Sequence, residues 1–263
     1  MITIKFGKHI LPVEIEKIKD QLKKEEKVAV AYSGGVDSTL VSYLCKTSGI
    51  DYVTVTVVSE VLSRDELENA VKIAEVLNLN HEVIRVNLLN SRNFIRNDAK
   101  RCYYCKKKIL EAIKDFAGDR KIVDGTNADD LKEFRPGMRA TEEMNVVSPL
   151  KKLGKEEIRR ISKRLGLPTW NKPPNSCLAT RIIKENISYE KLRRIERAEE
   201  IVKQLGFRLV RVRAKGNEAI VQVARNRVSD LLKIKEDVSS KLNKLGFQRV
   251  FFDPEGYHYE ETV

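Results

Sequence analysis

Val28-Ala29-Val30-Ala31-Tyr32 runs directly into Ser33-Gly34-Gly35-Val36-Asp37-Ser38, and then into Thr39-Leu40-Val41-Ser42-Tyr43-Leu44-Cys45-Lys46. The first block is a short uncharged apolar run, the mark of a buried strand. The last carries Leu40, Val41 and Leu44 at helical spacing. Two glycines between a strand and a helix let the backbone turn tightly and approach a ligand without a Cβ in the way. The free N–H groups of the helix start, with the positive end of its dipole, suit an anion there. Ser33 and Ser38 add hydroxyls. The Gly-x-x-x-x-Gly-Lys-Ser/Thr pattern is absent, so γ-phosphate hydrolysis with a lysine of that type is not indicated. The structural alternative is a glycine turn with a serine cap.

Working outward, Leu11–Lys27 reads as an amphipathic helix through Val13, Ile15, Ile18 and Leu22. Asp51–Val58, Glu82–Val86 and Lys121–Val123 read as further strands, and Arg64–Leu79 as a helix. Strands alternating with helices imply an α/β fold with a parallel sheet covered on both faces. From Asp124 to Pro174 the pattern predicts loops around one helix at Lys155–Leu165. Beyond Arg181 the rhythm changes to helix Ser188–Leu205, strands Leu209–Arg213 and Ala219–Val223, helix Val228–Leu245 and strand Gln248–Phe252. This block reads as a smaller α+β domain, 183–263, after a main domain, 1–182. No internal repeat or low-complexity tract is visible.

The chain has 263 residues, 41% of them hydrophobic, which excludes a wholly disordered polymer. No apolar run reaches the roughly 18 residues of a membrane span. Met1–Ile10 has no signal-peptide core, so a cytoplasmic protein without membrane partners is expected. Charged residues make up 33% and glutamine occurs only at positions 21, 204, 222 and 248, a bias resembling heat-adapted proteins. The net charge of +12 suits a polyanion such as RNA or a small phosphorylated substrate. Aromatics are only 6%, and no basic patch interleaved with aromatics is seen for base stacking.

With the 33–38 motif complete, the chain resembles the PP-loop ATP pyrophosphatase superfamily, whose members split ATP between its α- and β-phosphates and adenylate a substrate. By that resemblance Ser33, Gly34, Gly35, Val36 and Ser38 bind ATP, and Asp37 acts through Mg²⁺ or by orienting phosphates. Thr56 to Ser59, at the end of the second strand, would lodge adenine.

Four cysteines in a chain expected to be cytosolic argue against a disulfide framework. Cys45 shares a helix with Leu40, Val41 and Leu44 and reads as a small core residue. Cys102 and Cys105 open a helix within Arg101-Cys102-Tyr103-Tyr104-Cys105-Lys106, where backbone N–H groups and lysines lower thiol pKa. Cys177 stands in a proline-stiffened polar loop, Trp170–Leu178, with Lys172 and Arg181 close in sequence to favour its thiolate.

Asp124-Gly125-Thr126-Asn127-Ala128-Asp129-Asp130, Arg135-Pro136-Gly137-Met138-Arg139-Ala140, Ser148-Pro149-Leu150 and Cys177-Leu178 before Thr180-Arg181-Ile182 resemble the LarE family of ATP-dependent sulfur transferases. The resemblance covers most of the chain, including Arg211-Val212-Arg213. It implies adenylation of a pyridinium dicarboxylate mononucleotide, a precursor of the nickel-pincer cofactor, and displacement of AMP by sulfur. Members with a lone cysteine at the Cys177 position give up its sulfur. Members with three, as here at 102, 105 and 177, resemble a design in which the thiolates hold a [4Fe-4S] cluster whose open iron binds sulfide. Zinc with His81 or water, and a dithiol pair, are the rivals.

The resemblance also places the substrate phosphate at Arg211 and Arg213, alternate residues on one strand face, against a reading of two solvated arginines. Gly125 and Thr126 would bind ATP. Asn127, Arg135 and Arg139 would line the pyrophosphate pocket, against capping of a turn by Asp124 or Asn127. Cys177, Asp37 and Arg181 would carry the chemistry. Glu200 and Asp230 match an accessory metal site of the family, but Gln222 stands where Glu is expected, so that site is not assigned. The cofactor expectations are ATP, Mg²⁺ and the cluster. The partner expectations are a small nucleotide, a sulfur donor and a homo-oligomer, with tRNA thiolation as the second reading.

Overall fold

The computed structural model describes residues 13–132 and 136–257. The expected start of the first helix at Leu11, the segment Met1–Ile10 and Arg135 lie outside the described residues.

The main unit begins with α1 (Val13–Lys23), β1 (Lys27–Ala31), α2 (Val36–Ser48), β2 (Asp51–Val58), α3 (Arg64–Val76) and β3 (His81–Arg85). It continues through α4 (Arg92–Ile95), α5 (Arg101–Ala117), β4 (Lys121–Val123), α6 (Ala128–Lys132), α7 (Pro136–Glu143) and α8 (Lys155–Arg164). The strands form one parallel sheet in the order β3-β2-β1-β4, with Ala29 opposite Val53 on one side and Ile122 on the other. The fold is α/β, as the alternation predicts. The chain leaves β1 toward β2 and later returns to its other side as β4. The switch point, where open parallel sheets take ligands, therefore lies between the carboxyl ends of β1 and β4.

Helices cover both faces of that sheet. Ile15, Ile18 and Leu22 of α1 bury with Leu40, Val41 and Leu44 of α2 and Ile158 and Ile161 of α8 against Val28 and Val30. Leu110 and Ile113 of α5 bury against Ala29, Val53 and Val55 on the opposite face.

A 3₁₀ turn, Leu178–Arg181, leads to α9 (Tyr189–Gln204), β5 (Val210–Lys215), β6 (Glu218–Val223), α10 (Val228–Lys233), α11 (Lys235–Asn243) and β7 (Arg249–Phe252). These strands make a second, smaller sheet in the order β5-β6-β7, antiparallel and then parallel. The largest apolar cluster joins Val61, Leu88 and Phe94 to Leu192, Val212 and Val221, sealing this sheet against the β2–β3 side of the first.

Two expectations are corrected. The loop region after Asp124 contains α6 and α7 as well as α8. α7 starts on Pro136, which is suited to a first helical position. It is short, buries only Ala140 and Thr141, and packs closely on α5, where a Cβ on Gly137 would stand 3.5 Å from the Cys102 carbonyl. The single helix expected over 228–245 is two, broken at Ile234, whose φ of −113° and ψ of 17° lie outside the helical basin.

Candidate active site

The 33–38 loop is shaped by contacts that only glycine permits. Gly34 has φ +66°, and a Cβ there would stand 2.7 Å from the Cα of Ala70 on α3. The loop is closed by its serines: the Ser33 and Ser38 hydroxyls lie 3.1 Å apart, and Ser33 N–H donates to Ser38 Oγ. Gly35 is the N-cap of α2 and no side chain caps it, so the helix-start N–H groups stay available to an anion. Val36 and Ser38 are buried beneath the loop.

The β4 loop closes the other side. A Cβ on Gly125 would lie 2.9 Å from both Asp37 Cβ and Ser38 N, so the two loops touch at that glycine. Asp124 is buried and accepts from Thr126 N–H and Oγ1, Ser148 Oγ and Lys106 Nζ. Burial opposes its charge, yet Lys106 and these hydrogen bonds together hold its carboxyl below the usual range. Asn127 Oδ1 caps α6 by accepting from the N–H groups of Asp129 and Asp130, while its buried amide nitrogen faces the Asp37 carboxyl and favours its charge. Asp37 is half-buried, and burial together with the charge of Asp130 pushes its pKa up to about 6.

Thr56 lies inside β2, its hydroxyl 2.8 Å from His81 Nε2. His81 also meets Tyr32 edge to face, so its ring is engaged beneath the sheet end with those two residues. Arg139 is on the exposed side of α7, paired with Glu143 and lying over the Tyr103 ring.

Cys102 and Cys105 occupy the first turn of α5, as expected, and Cys102 is exposed. The expected lowering of thiol pKa fails at Cys105. Burial, then the nearby Cys177 and Cys102, push it up to about 12, outweighing Arg101 and Lys106. Position 177, remote in sequence, therefore lies near enough to the 102–105 turn to act on the Cys105 thiol. Among the described residues, no three His, Cys, Asp or Glu side chains have the spacing of ligands to a single metal ion. Cys45 is fully buried, as the helical spacing predicts, and burial pushes its thiol up to about 12.

The loop bearing Cys177 is clamped from two sides. Arg181 is buried: its Nη1 donates to Ser176 Oγ and to the carbonyls of Ser176 and Cys177, and its Nε to Glu199 Oε1. Its donors therefore shape the backbone around Cys177. On the other side Lys172 Nζ reaches Gly34 O at 3.2 Å and Glu66 Oε2 at 3.1 Å, while Asn175 Nδ2 reaches Glu66 Oε1. The cysteine loop thus touches the 33–38 loop directly.

From the small sheet, Arg211 is buried, lies over the Tyr257 ring at 4.0 Å and donates to Ser176 Oγ. Burial and the neighbouring Arg181 lower its pKa, and its Nε has no hydrogen-bond partner. Arg213 donates to Gln222 Oε1 and Thr180 O. Gln222 in turn donates to Asp253, so it joins Arg213 to a carboxylate. Asp230 is paired at the surface with Arg227 and Lys233.

Sequence reasoning missed Glu66 and Glu199, whose roles exist only through partners 106 to 109 and 18 positions away. The one available signal for Glu199 was an acid on the apolar stripe of α9, between Ala198 and Val202.

A family model described as a family of unknown function (DUF7411) matches residues 26–169. An uncharacterized protein of Synechocystis sp. is 36% identical, covering 94% of this chain and 96% of the relative. A pyridinium-3,5-bisthiocarboxylic acid mononucleotide synthase of Lactiplantibacillus plantarum is 31% identical, covering 90% and 88%. One component of the glutamine-hydrolyzing GMP synthase of Methanocaldococcus jannaschii is 28% identical, covering 75% and 69%. With the pyrophosphatase loop at the sheet switch point and a synthase of this kind matched along nearly nine-tenths of its length, the chain belongs to the LarE family of ATP-dependent sulfur transferases within the PP-loop superfamily.

Proposed function

We propose that the chain adenylates a carboxylate of a pyridinium dicarboxylate mononucleotide, releases pyrophosphate and exchanges a carboxylate oxygen for sulfur at the Cys177 loop. The observation that carries this is the direct contact between that loop and the 33–38 loop through Lys172 and Gly34. An acyl adenylate formed at the second would lie within reach of the first. A carboxylate oxygen is a very poor leaving group and AMP a good one, so activation must precede attack by sulfur.

Residues 1–182 would form the ATP-binding part. The helix-start N–H groups, Ser33, Ser38, Gly125 and Thr126 would line the phosphates, with the Asn127 amide donating to a phosphate oxygen. Arg135 and Arg139 would neutralise the leaving pyrophosphate, Arg139 by exchanging its bond to Glu143. Asp37 and Asp130 supply hard oxygens of the kind Mg²⁺ uses beside phosphates and waters. Thr56 is proposed to support the adenine end through the ordered sheet edge. In residues 183–263, Arg211 and Arg213 would take the substrate phosphate. The buried, unpartnered Arg211 Nε is the donor that such a phosphate would satisfy.

Cys102, Cys105 and Cys177 would hold the [4Fe-4S] cluster, which would supply an open iron site for sulfide beside the activated carbonyl. The donor set fits in kind: Cys102 and Cys177 both act on the Cys105 thiol, and soft thiolates are the ligands that such a cluster takes. Arg181 and Glu199 keep Cys177 in place, and Cys105 stays a protonated thiol until metal binds.

Incubation with ATP, Mg²⁺, sulfide and the mononucleotide should yield AMP, pyrophosphate and the oxygen-to-sulfur mass change in the product. Pyrophosphate release with the mass change on tRNA instead would replace this substrate with RNA.

A further inference from the structure

We propose that Lys172 is a phosphate-binding residue of the 33–38 loop, and that its capture of the ATP phosphates fixes the loop that carries Cys177. This rests on the reading of the 33–38 loop as the ATP site and is independent of which molecule receives the sulfur.

The phosphate loop carries no cation of its own: Ser-Gly-Gly-Val-Asp-Ser holds an acid and no base. Two nearby lysines are engaged elsewhere, Lys106 with the buried Asp124 at 3.0 Å and Lys155 with Asp130 at 3.8 Å. Lys172 is different. Its ammonium lies 3.2 Å from the carbonyl of Gly34, within the loop itself, and its side chain is only 19% exposed. A peptide carbonyl is a weak acceptor beside a phosphate oxygen, whose charge makes the hydrogen bond stronger. An ammonium has three donors, so it can keep Glu66 while it takes a phosphate.

The backbone of Lys172 is held firmly. Lys172 N–H donates to Thr169 O, Arg159 Nη2 donates to Lys172 O, and Pro173 and Pro174 follow. Beyond the prolines, Asn175 grips the second oxygen of Glu66 and accepts from Arg181 Nη2. A pull on the Lys172 head group is therefore passed through Glu66 and Asn175 to the Ser176–Cys177 turn. Occupation of the ATP loop and the placement of Cys177 become one event.

The molecule contains a reporter for this. Trp170 is its one tryptophan, two positions from Lys172, with its carbonyl bonded to Arg159 and its ring beneath the Lys163 ammonium at 4.4 Å. The test titrates the full chain, wild type, Lys172→Gln, Lys172→Arg and Glu66→Gln, with ATP and Mg²⁺. Calorimetry gives the affinity and Trp170 emission follows the loop, with thermal melting as a check on folding.

Wild type should bind ATP with a saturable change in Trp170 emission. Lys172→Gln should bind about tenfold more weakly, or about 1.4 kcal/mol, and lose the emission change even at saturation. Lys172→Arg should recover both in large part. Glu66→Gln should keep its ATP affinity within about threefold while its Trp170 response shrinks. Wild-type affinity in Lys172→Gln would overturn the phosphate contact. A full Trp170 response at saturation in that variant would overturn the coupling. A wild-type chain that binds no ATP would overturn the ATP reading, and this proposal with it.

Discussion

Arg181 Nε and Glu199 Oε1 meet at 3.0 Å with both side chains almost sealed from water. Glu199 also accepts the backbone N–H of Val212 on β5, and Arg181 holds the carbonyls of Ser176 and Cys177. One buried pair therefore ties the reactive loop to the small sheet. Removing the acid leaves a buried guanidinium without its counter-charge. Glu199→Ala should cost about 3–5 kcal/mol of stability in urea unfolding, and Glu199→Gln, which removes the same charge, nearly as much. A Glu199→Gln loss far smaller than that of Glu199→Ala would contradict a charge-pairing role.

Gly34 and Gly125 make a second prediction, by sterics rather than charge. Gly34→Ala forces a left-handed residue, costing about 1–2 kcal/mol, and drives its Cβ into the backbone of Ala70. Gly125→Ala meets Asp37 and Ser38 N at normal backbone angles, so it spoils the contact between loops with less strain. Both should lose ATP binding in calorimetry, with the larger fall in melting temperature for Gly34→Ala.

The boundaries of β2 and β4 were readable to the residue, because each is a run rich in β-branched residues within a doubly covered sheet. The 33–38 turn was equally legible, since glycines between a strand and a helix have few other uses. α7 was not, because it has only eight residues and buries just two small ones, Ala140 and Thr141. Neither was the break at Ile234, since a helical period continues across it. In the site, sequence pointed to Cys102, Cys105 and Cys177 as a set but misjudged Cys105, whose thiol is governed by burial rather than neighbouring lysines. Glu66 and Lys172 form their contacts across 106 positions, which no local pattern encodes.

Asp37 gives a dependence on pH. Burial and Asp130 raise its pKa from 3.8 to about 6. The folded, ligand-free chain therefore holds this proton more tightly than the unfolded one. That stabilisation is complete below about pH 4 and is lost as pH rises through about 6. Asp37→Asn should then melt higher than wild type above about pH 6, with the gap closing toward pH 4. ATP binding with Mg²⁺ should run the other way, rising through the same window in wild type and staying flat and weak in Asp37→Asn. A wild-type binding curve without a step near pH 6 would contradict the assignment.

Thiol reactivity separates the cysteines. In metal-free, reduced protein, Cys102 and Cys177 are exposed and should react with a thiol reagent in the native state. Cys105 should lag behind them, because burial keeps it protonated. Cys45 should react only after unfolding. Peptide mass mapping over time reads the order directly, and early labelling of Cys45 would contradict the packing of α2.

The central claim is that Cys102, Cys105 and Cys177 act together to carry sulfur. The most direct test counts iron and acid-labile sulfide in protein purified without oxygen, for wild type and Cys105→Ala. About four of each per wild-type chain, lost in Cys105→Ala together with sulfur transfer from added sulfide, is the predicted result. Iron-free wild type that still releases pyrophosphate and transfers one sulfur per chain, leaving Cys177 without its own, would contradict it.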